Sequence, residues 1–146
     1  MKITLKNYCI AFLTAICCIA PDTHAEEKLL IIGDATWGGW SLDNASVMNT
    51  TTENPDIFTY SGYLKADKEF KFLTEGAWDK PEYRNGGDSP YILGEGTLRR
   101  GGNDDKFKVA LDGNYDIVCD LRNLKVSVTR SAYQEKPILH NRLYAV

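Results

Sequence analysis

The sequence predicts an all-β protein, a single antiparallel β-sandwich of immunoglobulin-like size that follows a leader segment. Short apolar or alternating segments recur along the chain, and clusters of Gly, Pro, Asn and Asp separate them. No amphipathic helix of useful length is present between these segments. The predicted strands are 28–32, 57–65, 69–74, 106–111, 115–121 and 124–129.

Each predicted strand has its own pattern. Segment 28–32 is a compact apolar run, and 57–65, "IFTYSGYLK", alternates and is rich in β-branched and aromatic residues. Segment 69–74, "EFKFLT", alternates strictly, which places Phe70 and Phe72 on one face and Lys71 on the other. The last three segments alternate in the same way, and this alternation predicts that Cys119 is buried.

Residues 1–25 have the pattern of a secretory signal peptide. Lys2 and Lys6 precede a charge-free apolar run, 9–20, and the small residue Ala25 ends the segment. That run is shorter than the ~20 residues needed to span a membrane. We therefore expect an exported protein that is periplasmic, outer-membrane-associated or on the cell surface. Its sandwich domain would occupy 26–130 and a C-terminal tail 131–146.

Cysteine use fits this division. Cys9, Cys17 and Cys18 lie in the leader and Cys119 is alone in the predicted domain, so neither a disulfide within the domain nor a cysteine-built zinc site is expected. Lipid attachment at Cys17 or Cys18 is a second option. We rank it below soluble export because the usual small residue before a lipid-bearing cysteine is missing.

The charged residues argue against several functions. The net charge is −3 and there is no basic stripe, so we expect no nucleic-acid partner. His140 is the one histidine beyond the leader. This argues against a Ser-His-Asp catalytic triad and against a histidine-rich metal site. Acidic residues such as Asp67, Asp104, Asp105 and Asp112 fall in turn clusters, where turn formation is their ordinary role. We therefore predict no enzyme activity, no metal and no cofactor.

The three tryptophans are the most informative residues. Trp37 and Trp40 lie in "GDATWGGWSLDNA" and Trp78 lies in "TEGAWDKPEYRNGGD", both loop-like segments with polar flanks. Sugar rings present apolar faces and hydroxyl edges, so a sugar site needs flat aromatic rings with a few polar groups. The residues proposed on this basis as ligand-binding are Trp37, Trp40, Lys71, Trp78, Lys80 and Tyr83, with Arg84 and Asn85 as further polar groups.

Structural roles remain open for several of these residues. Binding and core roles are about level for Trp40, and Trp37 is either an exposed platform or a neutral surface residue. A surface role is favoured for Trp78, and Lys71 is alternatively a solvent-facing strand lysine.

Three segments resemble successive signatures of the SusE/SusF-type outer-membrane starch-binding domains. They are "LLIIGDATWGGWSLDNA", "NPDIFTYSGYLKADKEFKFLTEGAW" and "FKVALDGNYDIVCDLRNLKVSVT", and they cover residues 28–130 in the right order. The resemblance implies an immunoglobulin-like β-sandwich that binds malto-oligosaccharides without catalysis. It implies Trp40 and Trp78 as the aromatic platform, with Lys71 and Lys80 as polar partners. Trp37 stands where such domains commonly have a smaller residue or proline.

We therefore predict a non-catalytic carbohydrate-binding domain of a bacterial polysaccharide-utilisation system. Its partners would be starch, malto-oligosaccharide or a related glycan, together with outer-membrane importer proteins. The alternative is a cell-envelope protein-interaction or assembly domain without a glycan site, because exposed tryptophans also serve protein interfaces.

Overall fold

The computed structural model describes residues 28–133, which form eight β-strands and one 3₁₀ turn. The strands are β1 (Leu29–Ile32), β2 (Ser46–Val47), β3 (Ile57–Leu64), β4 (Lys71–Thr74), β5 (Glu82–Asn85), β6 (Gly94–Arg100), β7 (Gly113–Asp120) and β8 (Lys125–Arg130), and the 3₁₀ turn is Leu42–Asn44. Within residues 28–133, no helix is long and apolar enough to cross a membrane. The predicted leader, 1–25, and most of the predicted tail lie outside the described residues.

All strand pairings are antiparallel, in the order β2-β1-β4-β5-β6-β8-β7-β3. Strand β6 belongs to both halves of the sheet: its first four residues pair with β8, and its last three pair with β5. An isolated bridge between Asn49 and Thr59 brings the two outer strands together, so the sheet is nearly closed. The predicted all-β antiparallel fold is confirmed.

The main core lies between the two halves of the sheet. Phe70, Phe72 and Phe107 meet at its centre, with ring centroids 5.6–6.0 Å apart. Phe58, Leu64 and Tyr60 approach this core from β3, and Cys119 is fully buried as predicted. Burial on this scale is the main stabilising term of a small β domain.

A second, smaller apolar cluster lies on the outer face of β1 and β4. Leu30, Ile32 and Leu73 point away from the main core, because alternate residues of a strand face opposite sides. Leu42 and Ala45 cover them, so the connection between β1 and β2 folds over the outside of the sheet. This arrangement fixes the position of the tryptophan-bearing loop.

Most predicted strands are present, with two differences. Segment 106–111 is not a named strand: Phe107 and Lys108 form only isolated bridges, to Phe70 and Tyr91. Strands β2, β5 and β6 were not predicted, because β2 has only two residues and because glycines and charged residues dominate the sequences of β5 and β6. The charged residues of β5 lie on the outer face of the sheet, where they form ion pairs.

Candidate functional site

Lys71 occupies a buried position on the outer face of β4. Phe72 points into the main core, so Lys71 points to the opposite side, where it is only 5% exposed. Its Nζ lies 2.8 Å from Glu82 Oε2 and 3.0 Å from Asp104 Oδ1. The alternative of a solvent-facing strand lysine is therefore wrong: the side chain stays on the outer face but is covered there.

Two further cations, Arg84 and Lys106, extend this ion-pair cluster. Arg84 Nη2 lies 2.6 Å from Glu82 Oε2, and Lys106 Nζ lies 2.8 Å from Asp104 Oδ2. Glu82 and Arg84 have the same parity on β5, while Tyr83 between them faces the core. The polar residues of β5 therefore line one surface with Lys71.

The charges of this cluster also set the ionisation of Asp104. Partial burial alone would raise the pKa of Asp104, but hydrogen bonds and positive charge from Lys106 and Lys71 outweigh it and lower the pKa to about 2. Asp104 is therefore ionised throughout the neutral and mildly acidic range.

Trp40 and Trp78 converge on this cluster from two different loops. Lys71 Nζ lies 5.9 Å from the Trp40 ring centroid and 5.5 Å from the Trp78 ring centroid. Lys106 Nζ lies 5.7 Å from the Trp40 centroid. Both indoles remain partly exposed, at 37% for Trp40 and 46% for Trp78. The two partly exposed rings thus approach the same buried cation, an arrangement that cation–π attraction favours. We call this the Trp40–Trp78 surface.

The loop that carries Trp40 is tied to the body of the domain. Gly33 and Gly39 form a bridge at its base, with the Gly33 N–H donating to the Gly39 carbonyl at 3.1 Å. The Ala35 N–H donates to the Glu69 carbonyl, and the Ala35 carbonyl accepts from the Lys65 N–H. The glycine at 33 is required, because a Cβ there would lie 2.1 Å from the Glu69 carbonyl oxygen.

The other predicted residues have different positions. Lys80 is exposed on the same loop as Trp78 and forms an ion pair with Glu75 at 3.3 Å. Tyr83 requires a correction: it is 4% exposed and packs in the main core, so its ring is not available for a sugar. Asn85 is also buried, and its side chain holds the following turn by bonding to Ser89 and Gly87.

Trp37 is not part of the Trp40–Trp78 surface. Its indole stacks on Tyr63 of β3, with centroids 5.4 Å apart and ring planes 25° apart, and Lys65 Nζ lies 5.0 Å from its centroid. Trp37 is 69% exposed. The two tryptophans of the loop between β1 and β2 thus contact different strands. Their spacing of three residues in the sequence did not indicate this.

Lys106 is the site residue that sequence reasoning missed. It follows the acidic pair Asp104-Asp105 in a loop, where a lysine is ordinarily a solvated residue. A shallow depression of about 340 Å³ adjoins it, lined by Asp104, Lys106 and seven further residues. Within residues 28–133, no group of His, Cys, Asp and Glu is arranged to hold a metal ion.

An antiparallel β domain that presents two indoles above a charged cluster has the features of a carbohydrate-binding module. A family model agrees: the SusF/SusE starch-specific carbohydrate-binding modules match residues 28–127. The chain belongs to this family. Among solved structures, the crystal structure of SusF from Bacteroides thetaiotaomicron is similar, with a TM-score of 0.58 and 19% identity. The match covers 71% of this chain and 24% of that chain. No curated protein matches the sequence.

Proposed function

We propose that this domain binds starch or a related α-glucan on the Trp40–Trp78 surface and does not cleave it. The observation that carries the proposal is the convergence of two partly exposed indoles on the buried ammonium of Lys71. Two partly exposed rings within 6 Å of one atom are close enough together for neighbouring sugar rings of one chain to stack on both. Membership of a starch-specific family supports the same ligand.

Lys71 acts in this proposal as a positioning residue and not as a direct ligand. Its ammonium is 6% exposed at the side chain and already donates to Glu82 and Asp104. It therefore fixes the two indoles from below. Lys80 and Asp104, whose side chains are 45% and 53% exposed, are among the groups exposed enough to bond sugar hydroxyls.

The acids of the cluster do not suit glycoside hydrolysis. That reaction needs one carboxyl group that is protonated at working pH to act as general acid. The lowered pKa of Asp104 keeps it ionised, and Glu82 is held between Lys71 and Arg84. Both carboxylates are structural counter-ions in this proposal, which agrees with a binding function.

In the cell, the domain would hold polysaccharide near separate enzymes and importers. We propose an exported protein at the periplasm, outer membrane or cell surface, with outer-membrane importer proteins as its neighbours. The chain spans about a quarter of the length of the SusF chain it matches. The proposed role in the cell is therefore that of this one module and not of a whole SusF-like protein.

The test is calorimetric titration of the protein with maltoheptaose and a panel of unrelated glycans. We expect dissociation constants on the order of micromolar to millimolar, or about −8 to −4 kcal/mol, because the surface is open and shallow. The result that would end the proposal is no heat with any glycan.

Replacement of one indole measures its share of the binding. Nearly half of Trp78 is exposed. A sugar ring that covers about 55 Å² of this apolar surface contributes about 1.4 kcal/mol to the binding free energy. Trp78→Ala should therefore weaken binding about tenfold. Leu93→Ala is the matched control, since Leu93 is also exposed but lies in the segment before β6. An unchanged affinity in Trp78→Ala would place the site elsewhere.

A further inference from the structure

Trp37 forms a second aromatic surface, with Tyr63 and Lys65 beneath it. On β3, Phe58, Tyr60 and Leu64 point toward the main core, so Tyr63 points to the outer face. Tyr63 is only partly exposed because Trp37 stacks on it. The contacts of Trp37 on β3 are separate from those of Trp40, which lie on β4 and in the loop after β6.

We propose that Trp37 and Tyr63 form a second sugar-stacking surface, which takes a pyranose ring independently of the Trp40–Trp78 surface. Tyr63 at the end of β3 and Lys65 just after it both lie against the Trp37 indole, at 5.4 Å between ring centroids and 5.0 Å from Nζ to the centroid. The opposite face of Trp37 is open, in agreement with its 69% exposure. A ring held flat by a second ring loses little conformational freedom when a ligand stacks on it.

The surroundings of Trp37 favour a sugar over a protein as the ligand. Beyond Tyr63 the outer face of β3 becomes polar: the Ser61 hydroxyl donates to Asp116 at 2.6 Å, and Asn114 lies opposite Tyr63 on β7. A stable protein interface covers about 800 Å² on each partner, whereas one indole supplies about 150–250 Å². The apolar area fits one sugar ring, and the Lys65 ammonium, 5.0 Å from the Trp37 centroid, is a charged group close to it.

Two separate surfaces give the module two points of attachment to a polymer. One long glucan, or two neighbouring chains of a starch particle, can bind to both surfaces at once, whereas a trisaccharide binds to one at a time. This inference rests on the proposed glycan-binding function, and it adds a second site to it.

The experiment labels the full chain with 5-fluorotryptophan, which gives one ¹⁹F resonance for each of the three tryptophans. Single Trp→Phe variants assign the resonances, and maltotriose is the titrant. We expect the Trp40 and Trp78 resonances to shift with one midpoint and the Trp37 resonance with another. The Trp37 midpoint should be unchanged in Trp40→Ala. Leu93→Ala is the control and should change neither midpoint.

Four outcomes separate this inference from the function on which it rests. A Trp37 resonance that stays still while the other two shift overturns the inference and leaves the proposed function standing. A Trp37 shift that is lost in Trp40→Ala shows one extended site and also overturns it. A shift with protein concentration and no sugar assigns the surface to a second copy of the chain, again against the inference. Three resonances that stay still with every glycan refute both.

Retention on granular starch gives a second measurement. Trp37→Ala should reduce retention about tenfold, because the second attachment point is lost, while maltotriose binding at the Trp40–Trp78 surface stays the same. Equal retention of the variant and the wild-type protein contradicts a second site.

Discussion

The buried Lys71–Glu82 pair predicts an unusual order of mutational effects. Lys71→Met removes the cation, but Glu82 keeps Arg84, whose Nε and Nη2 lie 2.7 and 2.6 Å from its Oε2. Breaking a buried ion pair costs about 3–5 kcal/mol when it leaves a charge without a partner. Because Glu82 retains a partner, we expect Lys71→Met to cost only about 1–2 kcal/mol of unfolding free energy.

The reverse substitution should cost more. Glu82→Gln leaves the Lys71 ammonium, 6% exposed at the side chain, with Asp104 as its carboxylate partner, and Asp104 is itself 53% exposed. We expect a cost of about 2–4 kcal/mol, since the remaining partner is screened by solvent. In the double variant the effects should fall short of their sum by about 1–3 kcal/mol, the coupling of residues in one network.

Urea denaturation of the four proteins measures these differences, and glycan titration of the same samples measures the site. Lys71→Met should also weaken binding about fivefold, because each cation–π contact under Trp40 and Trp78 contributes about 0.5–1 kcal/mol. Lys80→Met is the control for stability: its surface pair with Glu75 should contribute under about 0.5 kcal/mol. Additive effects, or a Lys71→Met variant less stable than Glu82→Gln, would refute the reasoning.

Three further outcomes are expected. The pKa of Asp104 is lowered to about 2, so its stabilising effect is complete above about pH 4 and is lost as the pH falls towards 2. Asp104→Asn should flatten the stability profile in that window by under ~1 kcal/mol in thermal unfolding, since the side chain is over half exposed; identical profiles would contradict this. Gly33→Ala should lower the unfolding free energy by about 2 kcal/mol or more in urea, because its Cβ meets the Glu69 carbonyl, whereas Gly39→Ala meets nothing within 4 Å and should cost about 1 kcal/mol. Equal losses would count against the clash. Burial raises the pKa of the Cys119 thiol, so a thiol reagent should modify it only as fast as the domain unfolds; rapid modification of the folded protein would show that the strand opens locally.

The strands with regular alternation were predictable from sequence, and those with unusual surroundings were not. In β3 and β7 large apolar residues alternate with mostly polar outward ones, which is the pattern the fold requires. In β5 the outward residues Glu82 and Arg84 are charged although Glu82 is buried and Arg84 partly buried, so their segment has the composition of a loop. In β6, Gly96 leaves room for the Ile92 side chain, which lies 2.6 Å from where its Cβ would be. Such a glycine suggests a turn unless the packing is known.

The site was predictable in its residue types but not in its grouping. Trp40 is far in sequence from Lys71 and Trp78, and the resemblance to the family linked the three. Trp37 differs, because its neighbour Tyr63 lies on a strand of the other half of the sheet, and no local pattern indicates that contact. The sequence shows Tyr83 as an aromatic residue beside the glycine-rich turn after Trp78, but its inward position on β5 decides its burial.

The bridge between Gly33 and Gly39 makes the short segment between them a self-contained unit, closed at its base and resting on the connection between β3 and β4. Residues 36–38 can therefore be exchanged as one cassette, while the Gly33–Gly39 bridge and the anchoring bonds of Ala35 hold the frame constant. A protein engineer could graft other aromatic arrangements onto this frame, and natural variation in ligand preference among such modules could arise by the same replacement.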